Sequence, residues 1–233
     1  MSYLYDVWDD FISLLFPRIC CGCGNTLLRN ESLICTQCYI TIPRTGYHLL
    51  PENPVEQLFW GRCRLERVTV FSYYTKGSRI RNIIHNLKYN GIKEVGNEIG
   101  RIYASYLKSA GFFNNIDIIV PVPLHPSRLR KRGYNQSELI SAGISEISGL
   151  PLEKRALQRV RASDTQTNRS RIERWVNVEG IFNVPDYNLI SGKHILLVDD
   201  VITTGSTIES CAAELLKCKD VKVSVVALAV AIQ

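Results

Sequence analysis

Short apolar runs alternate along this chain with segments whose apolar residues recur every three or four positions. Uninterrupted apolar runs are typical of strands buried on both faces, and the three-to-four spacing is typical of helices with one buried face. The predicted strands span residues 68–74, 116–123, 194–198 and 221–231. The predicted helices are one that follows a turn at 75–78 and is broken by Gly91, and three at about 94–110, 136–148 and 207–217. This alternation predicts an α/β fold, a parallel sheet covered by helices on both faces.

The first 46 residues follow a different pattern. An amphipathic helix is predicted from the spacing of Leu4, Val7, Trp8, Phe11, Ile12 and Leu15. Its polar face carries three aspartates, so we expect it to dock on the protein rather than lie on a membrane, and it does not resemble a secretory leader. No apolar run reaches the roughly 18 residues of a membrane-spanning helix. We predict a helix and a cysteine module over 1–46, and the α/β domain over 47–233.

Four of the eight cysteines form two pairs, each with two residues between its members. The pairs are Cys20 with Cys23 and Cys35 with Cys38. Four thiolates at this spacing can close a tetrahedral, structural zinc site without an open position. Cys21 is an alternative to Cys20, which we prefer because it keeps the two-residue spacing. Since nothing indicates secretion, we expect a cytoplasmic protein that binds zinc, with disulfides or unligated thiols as alternatives.

The net charge of +6 is concentrated in one stretch. Between Arg128 and Arg174 there are eleven Lys or Arg against five Asp or Glu, and the rest of the chain is neutral. Polar residues, Pro and Gly interrupt the stretch, so much of it is predicted as loop. A solvated basic face is one interpretation. The other is a site for a polyanion, either a small phosphate ester or a nucleic acid.

Residues 195–207 combine an apolar strand, two carboxylates and a hydroxyl- and glycine-rich turn that opens a helix. In an open parallel sheet, ligands lie beyond the carboxyl ends of strands, and a helix start with free N–H groups binds anions. Asp199 and Asp200 can accept hydrogen bonds from vicinal ribose hydroxyls and help to place a divalent cation. Gly205 would let the backbone approach a phosphate closely. The plainer interpretation is a capped helix after two solvated acids.

This segment resembles the signature by which type I phosphoribosyltransferases bind phosphoribosyl pyrophosphate (PRPP). The resemblance implies that the two aspartates contact the ribose hydroxyls and that residues 203–207 hold the 5′-phosphate. It also implies Mg²⁺ chelated by pyrophosphate and ribose oxygens. The predicted PRPP-binding residues of this segment are Asp199, Asp200, Val201, Thr203, Thr204, Gly205, Ser206 and Thr207.

Two further segments resemble the ComF family. Residues 120–137 contain the strings Pro-Val-Pro and Arg-Gly-Tyr-Asn-Gln, and residues 159–182 contain spaced Arg, Thr, Gln, Asn and Gly positions. With the cysteine module, the resemblance covers nearly the whole chain, and it implies an N-terminal zinc finger. By similarity to glutamine amidotransferases of purine synthesis, the first segment corresponds to the pyrophosphate loop and the second to the flexible lid. The first segment adds the predicted PRPP-binding residues Leu124, His125, Arg128 and Arg132.

A pyrophosphate that leaves the anomeric carbon develops negative charge, which cationic side chains stabilise. Side chains of this type are Arg128, Arg130, Lys131, Arg132, Arg161 and Arg174. The candidate catalytic residues are Asp199, Asp200, Arg161 and Arg174. A closing lid would exclude the water that hydrolyses the activated sugar. Each arginine alone is equally consistent with a surface charge, and His125, beside a proline, favours a structural role.

The sequence is consistent with three functions. The first is an enzyme that transfers a phosphoribosyl group to a nitrogen nucleophile, although residues 63–91, the predicted hood over the site, offer only generic side chains for an acceptor. The second is a regulator that senses PRPP without turnover. The third, implied by the ComF resemblance, is the handling of single-stranded DNA with DNA-uptake proteins during natural competence. Tyr134 and Trp175 are the chief aromatic residues of the basic stretch for base stacking.

Overall fold

The computed structural model describes residues 16–161 and 180–231. Its main sheet has four parallel strands in the spatial order β1, β6, β5, β2. A separate antiparallel pair is formed by β3 and β4. The strands are β1 (Val68–Tyr73), β2 (Ile118–Pro121), β3 (Gln158–Arg159), β4 (Phe182–Asn183), β5 (His194–Ile202) and β6 (Lys222–Val230). The predicted parallel α/β sheet is therefore confirmed.

Seven α-helices and two short 3₁₀ helices lie in the part of the chain that the structure describes. The α-helices are α1 (Thr36–Thr41), α2 (Pro54–Gln57), α3 (Arg79–Tyr89), α4 (Glu94–Ser109), α5 (Pro126–Arg132), α6 (Gln136–Ser148) and α7 (Ser206–Leu215). The 3₁₀ helices are Tyr47–Leu49 and Tyr187–Leu189. The four predicted helices correspond to α3, α4, α6 and α7. The amphipathic helix predicted near the N-terminus lies outside the described residues.

Helix α5 corrects the prediction of a basic loop before α6. The His125 side chain accepts a hydrogen bond from the Ser127 N–H and caps the helix, and Pro126 occupies its first turn, where the N–H has no partner within the helix in any case. Gly133, with φ of 80°, ends the helix in the left-handed conformation. The two caps and the proline thus define a helix even though no residue of α5 is buried.

Strand β5 is longer than predicted and contains the acidic pair. Its ladder with β6 continues past Asp199 to Ile202, which lies opposite Val230. Because β6 remains apolar to its end, the neighbouring strand stays paired and carries the carboxylates within the sheet. The prediction that β5 ends at residue 198 was wrong for this reason.

Two apolar cores cover the two faces of the sheet. On one face, α3, α4 and α6 pack together with the cysteine module. Helices α4 and α6 approach closely, since a Cβ on Gly100 would lie 2.3 Å from the Ile140 carbonyl oxygen. On the other face, α7 packs with α2 and with the β3–β4 pair. The acidic pair lies towards the carboxyl end of β5, between these two cores.

Among residues 16–161 and 180–231, none of the helices is both long and apolar enough to cross a membrane.

Candidate functional site

The acidic pair occupies consecutive positions of β5, so its two side chains point towards different neighbours. Asp199 Oδ1 accepts hydrogen bonds from the Ser137 hydroxyl at 3.2 Å and from the Asp200 N–H at 2.8 Å. Asp200 Oδ1 accepts from the Lys88 ammonium at 2.8 Å. Helices α3 and α6 thus each supply a donor to one of the two carboxylates.

Burial perturbs the charges at this point of the sheet. Burial is the main reason that the pKa of Asp199 rises to about 7, and the neighbouring Asp200 charge adds to it. The bond from the Asp200 N–H, the Lys88 charge and the Ser137 hydroxyl act in the opposite direction. Near neutral pH, Asp199 therefore changes its charge readily. A carboxyl group with this property can accept ligand hydroxyls or share a proton with them.

Residues 203–207, which we call the phosphate loop, connect β5 to the start of α7. Gly205 adopts φ of 79° and precedes the helix. The Phe59 ring packs against it, since a Cβ at Gly205 would lie 2.8 Å from a ring carbon. The first N–H groups of α7 and the hydroxyls of the loop lie together, so the loop has the donors of an anion site.

The phosphate loop is also held by a long-range contact. The Arg62 guanidinium donates to the Thr204 carbonyl at 2.9 Å and to the Leu58 carbonyl at 3.0 Å, and pairs with the Glu209 carboxylate of α7. A hollow of about 20 Å³ is lined by both the loop and Asp199. Asp199 and the phosphate loop thus lie side by side at the end of β5.

A basic cavity of about 540 Å³ lies between the end of α3 and α5. Its lining residues are Lys88, Tyr89, Gly91, Arg128, Lys131, Arg132 and Tyr134. Four cations around one cavity favour a polyanionic occupant, and the Arg132 guanidinium already lies over the Tyr89 ring at 5.5 Å from its centre. Lys88 contacts the acid pair and lines this cavity.

Only some of the basic residues predicted from the sequence line this cavity. Arg128, Lys131 and Arg132 line the basic cavity, whereas Arg130 does not. Arg161 is exposed, and its backbone carbonyl accepts a bond from Arg159. Arg174 lies outside the described residues.

Two other predicted residues have mainly local contacts. His125 caps α5 through its ring nitrogen and also bonds the Ser127 hydroxyl at 2.7 Å. This agrees with the structural role that its neighbouring proline favours. Leu124 is half-buried at the start of the same turn.

Three polar residues near the acid pair were absent from the predicted site: Lys88, Ser137 and Arg159. Burial lowers the pKa of Arg159, the Arg128 charge lowers it further, and Cys211 and Asp199 partly oppose this. Ser137 ends the first segment that resembles the ComF family and Arg159 begins the second, so the motifs contain both residues without indicating their partners. Lys88 follows the apolar face of α3, where the sequence offers no signal of function.

The four paired cysteines form one cluster. The Sγ atoms of Cys20, Cys23, Cys35 and Cys38 all lie within 4.8 Å of one another. Thiolates that share a tetrahedral Zn²⁺ at about 2.3 Å are separated by about 3.8 Å. The Cys23 and Cys35 sulfurs are 3.7 Å apart, which fits that geometry. Cys20 is a member of the cluster and Cys21 is not.

Backbone donors stabilise the thiolate of one member of the cluster, Cys20, whereas burial raises the pKa values of Cys35 and Cys38. Burial raises the pKa of the Cys20 thiol, but N–H groups of Cys35, Cys23 and Gly22 outweigh it and lower the pKa to about 7. A thiolate that is already stabilised by N–H groups is a metal ligand at neutral pH. The donor set, four sulfurs without an open position, fits a structural zinc site rather than a catalytic one.

Helix α3 connects the cysteine cluster to the acid pair. The Asn82 amide donates to the Gly22 carbonyl at 2.8 Å, and the Asn86 amide donates to the Cys21 carbonyl at 2.9 Å. These two amides lie about one turn apart on α3, and Lys88 follows at its end. Residues 20–23, which we call the cysteine knuckle, are thereby attached to the helix that contacts Asp200.

The class of protein follows from this geometry and from comparison with known families. A sheet that ends in an acid pair and an anion loop agrees with the family described as "Phosphoribosyl transferase domain", whose profile matches residues 87–233. The chain therefore belongs to the phosphoribosyl transferase domain family.

Its relatives narrow this class. The DNA utilization protein YhgH of Escherichia coli K12 is 31% identical over 207 residues, which cover 85% of this chain and 84% of that protein. Competence protein F of Haemophilus influenzae is 26% identical, and the match covers 85% of this chain and 90% of that protein. Competence protein ComFC of Bacillus subtilis is 26% identical, with 82% and 81% covered. The predicted resemblance to the ComF family is confirmed.

Proposed function

We propose that this protein binds PRPP and transfers its phosphoribosyl group to a nitrogen nucleophile. The observation that carries the proposal is that Asp199 and the phosphate loop lie side by side at the carboxyl end of β5. A ribose 5-phosphate has vicinal hydroxyls at one end and a phosphate at the other. The two aspartates would accept from the hydroxyls, and the phosphate loop with Val201 beside it would hold the phosphate.

The basic cavity supplies the second half of the proposed site. Arg128 and Arg132 would bind the diphosphate, with Leu124 and His125 forming the turn beneath it. Arg161, and Arg174 outside the described residues, would help to stabilise the negative charge of the leaving diphosphate. In the reaction, the bond between the anomeric carbon and the diphosphate oxygen breaks, the sugar becomes oxocarbenium-like, and a nitrogen lone pair forms the new bond.

Mg²⁺ is the cation that fits this chemistry. It prefers carboxylate and phosphate oxygens, which the acid pair and a diphosphate would provide together. When bound, it would neutralise charge on the leaving diphosphate. The chain's own residues orient the sugar, through the aspartates, and hold the phosphate, through the loop.

The test of the proposal is the melting temperature with and without Mg²⁺-PRPP. A ligand at 100 times its Kd stabilises the fold by about 2.7 kcal/mol. We expect this shift in the parent and its loss in Asp199→Asn and Asp200→Asn. A zinc-loaded, folded parent without a shift contradicts the proposal. Release of pyrophosphate with candidate nitrogen acceptors then separates an enzyme from a regulator that binds PRPP without turnover.

We further propose that the cysteine cluster binds structural Zn²⁺ and that the protein works in the cytoplasm, where a reducing environment keeps four thiols available. Cys35→Ser should lose stoichiometric zinc in metal analysis and melt at a lower temperature. Cys21→Ser is the matched control, since Cys21 is equally buried but outside the cluster, and should retain zinc. Zinc retained by Cys35→Ser would contradict the assignment.

A second candidate function is the handling of single-stranded DNA during natural competence. The names of the relatives, DNA utilization and competence proteins, support it. So does the basic cavity, where Tyr89 is 68% exposed and could stack on a base. We expect oligonucleotide binding whose affinity falls steeply with salt, and weaker binding by Tyr89→Ala. Salt-independent binding, or none, would exclude this role for the cavity.

A further inference from the structure

Lys88 lies between the two halves of the proposed ligand site. Its ammonium donates to Asp200 at 2.8 Å, and the two side chains are largely buried, with 21% and 13% of their surfaces exposed. The same residue lines the basic cavity beside Arg128, Lys131 and Arg132. One positive charge is therefore positioned between the carboxylate proposed to bind ribose and the cations proposed to bind diphosphate.

The contacts of Lys88 with the protein leave N–H donors available for a further partner. Within residues 16–161 and 180–231, its ammonium bonds one acceptor, Asp200 Oδ1, although it carries three N–H donors. Three further cations line the same cavity and oppose its charge. A diphosphate in the cavity would offer acceptor oxygens to Lys88. At the same time, ribose hydroxyls would offer Asp200 new donors in place of the ammonium.

The backbone of Lys88 belongs to a fixed helix, whereas its long side chain can adopt other rotamers. Helix α3 is attached to the cysteine knuckle by the amides of Asn82 and Asn86. Lysine reaches its charge through four methylene groups, which rotate without any change of the backbone. Movement of the ammonium from Asp200 into the cavity therefore needs no movement of α3.

We propose that Lys88 exchanges partners when the ligand binds. In the free protein it pairs with Asp200 and orients it. In the complex it turns to the diphosphate oxygens and leaves Asp200 to the ribose hydroxyls. This inference rests on the proposed function, and it explains how the site would prefer PRPP to ribose 5-phosphate. A ribose 5-phosphate without a diphosphate has to compete with the ammonium for Asp200, whereas PRPP gives the ammonium another partner.

The two halves of the ligand test the exchange separately. Calorimetric titrations with PRPP, inorganic pyrophosphate and ribose 5-phosphate, at one Mg²⁺ concentration, compare the parent with Lys88→Met. We expect pyrophosphate to bind about tenfold more weakly, because a charge-assisted hydrogen bond is lost. Ribose 5-phosphate should bind as tightly or up to about threefold more tightly, because Asp200 is released.

Further variants control this experiment. Lys88→Arg should keep pyrophosphate affinity within about threefold, since the charge remains. Lys154→Met removes another lysine ion pair, the exposed one with Glu138 at 3.7 Å, and should bind all three ligands like the parent. If Lys88→Met does not fold by circular dichroism, Lys88→Gln replaces it, with the same expected loss of pyrophosphate affinity.

The outcomes separate this inference from the proposed function. Equal weakening of both half-ligands would mean that Lys88 is only structural, and unchanged pyrophosphate affinity would mean that it stays on Asp200. Either result overturns the exchange while PRPP binding by the parent stands. A folded parent that binds none of the three ligands overturns the proposed function, and the exchange with it.

Discussion

The phosphate loop and helix α5 both offer positive potential to an anion, but they are built in opposite ways. The loop uses backbone N–H groups and hydroxyls, and the buried Phe59 ring and Arg62 hold its shape. Helix α5 buries no residue, and its charges stand on long side chains at the rim of a cavity. The loop is therefore preorganised for one small anion, and the helix is an adaptable electrostatic surface.

This difference predicts how each region contributes to binding. Fixed donors in a small hollow bind an anion of the right shape without having to be ordered first. Exposed charges raise the local concentration of any polyanion, and salt weakens them. We therefore expect the loop to determine which ligand binds and the helix to determine how fast and how salt-dependently it arrives.

The largest expected effect comes from two glycines that share a left-handed conformation. Gly205 in the loop and Gly133 after α5 have φ of 79° and 80°. Alanine at either position is strained by about 1 kcal/mol, but only Gly205→Ala also drives a Cβ into the Phe59 ring. We expect Gly205→Ala to lower the free energy of unfolding by about 3 kcal/mol and to abolish PRPP binding. Urea denaturation and calorimetry measure the two effects.

Gly133→Ala is the matched control, because a Cβ there meets no atom within 4 Å. It should show the strain alone, about 1 kcal/mol, and keep PRPP binding. Equal destabilisation by the two variants would mean that the contact with Phe59 does not hold the loop.

The next effect concerns the charge of Asp199. Its pKa is about 7 in the folded protein, above the ordinary value of 3.8. The stabilisation by Asp199 is therefore complete below pH 3.8 and is lost as the pH rises through the folded-state pKa. The asparagine of Asp199→Asn does not titrate. We expect this variant to be more stable than the parent by about 1–2 kcal/mol at pH 8 and by much less at pH 5. Urea denaturation at the two pH values measures the difference, and an equal difference at both would refute the buried charge as its cause.

A smaller effect should follow from loss of the brace on the loop. Arg62→Met removes the bond to the Thr204 carbonyl and the pair with Glu209. We expect about tenfold weaker binding of ribose 5-phosphate in calorimetry, because the loop is less ordered before the ligand arrives. Arg101→Met, which removes an exposed ion pair with Glu146 at 3.6 Å, should bind like the parent. If both variants bind alike, the brace has no role in affinity.

The smallest effect distinguishes two arginines of α5. Arg128 lines the basic cavity and Arg130 does not. Arg128→Met should weaken pyrophosphate binding about three- to fivefold in low salt and less in about 0.5 M salt, and Arg130→Met should change it by less than about twofold. Titrations at two salt concentrations measure this. Equal effects would mean that α5 acts only through its total charge.

Local patterns in the sequence predicted much of this protein. The apolar runs indicated the strands of the sheet, and the cysteine spacing indicated a four-sulfur cluster that the structure confirms. The acid pair and the glycine-rich turn lie next to one another in the chain, so their sequence is visible as one motif. The same local reasoning missed α5, because a charged segment with Pro and Gly was predicted as loop although these residues start and end a helix.

The sequence by itself determined those features whose cause lies within a few residues: periodicity, caps, turns and the cysteine pairs. Only the tertiary structure decided which distant side chains complete the site. Lys88 reaches Asp200 across 112 residues, and Arg62 reaches Thr204 across 142. Parallel strands need long crossover connections, so the carboxyl ends of the sheet gather residues that the chain keeps far apart. A lysine or arginine in such a segment carries no local sign of the partner it will meet.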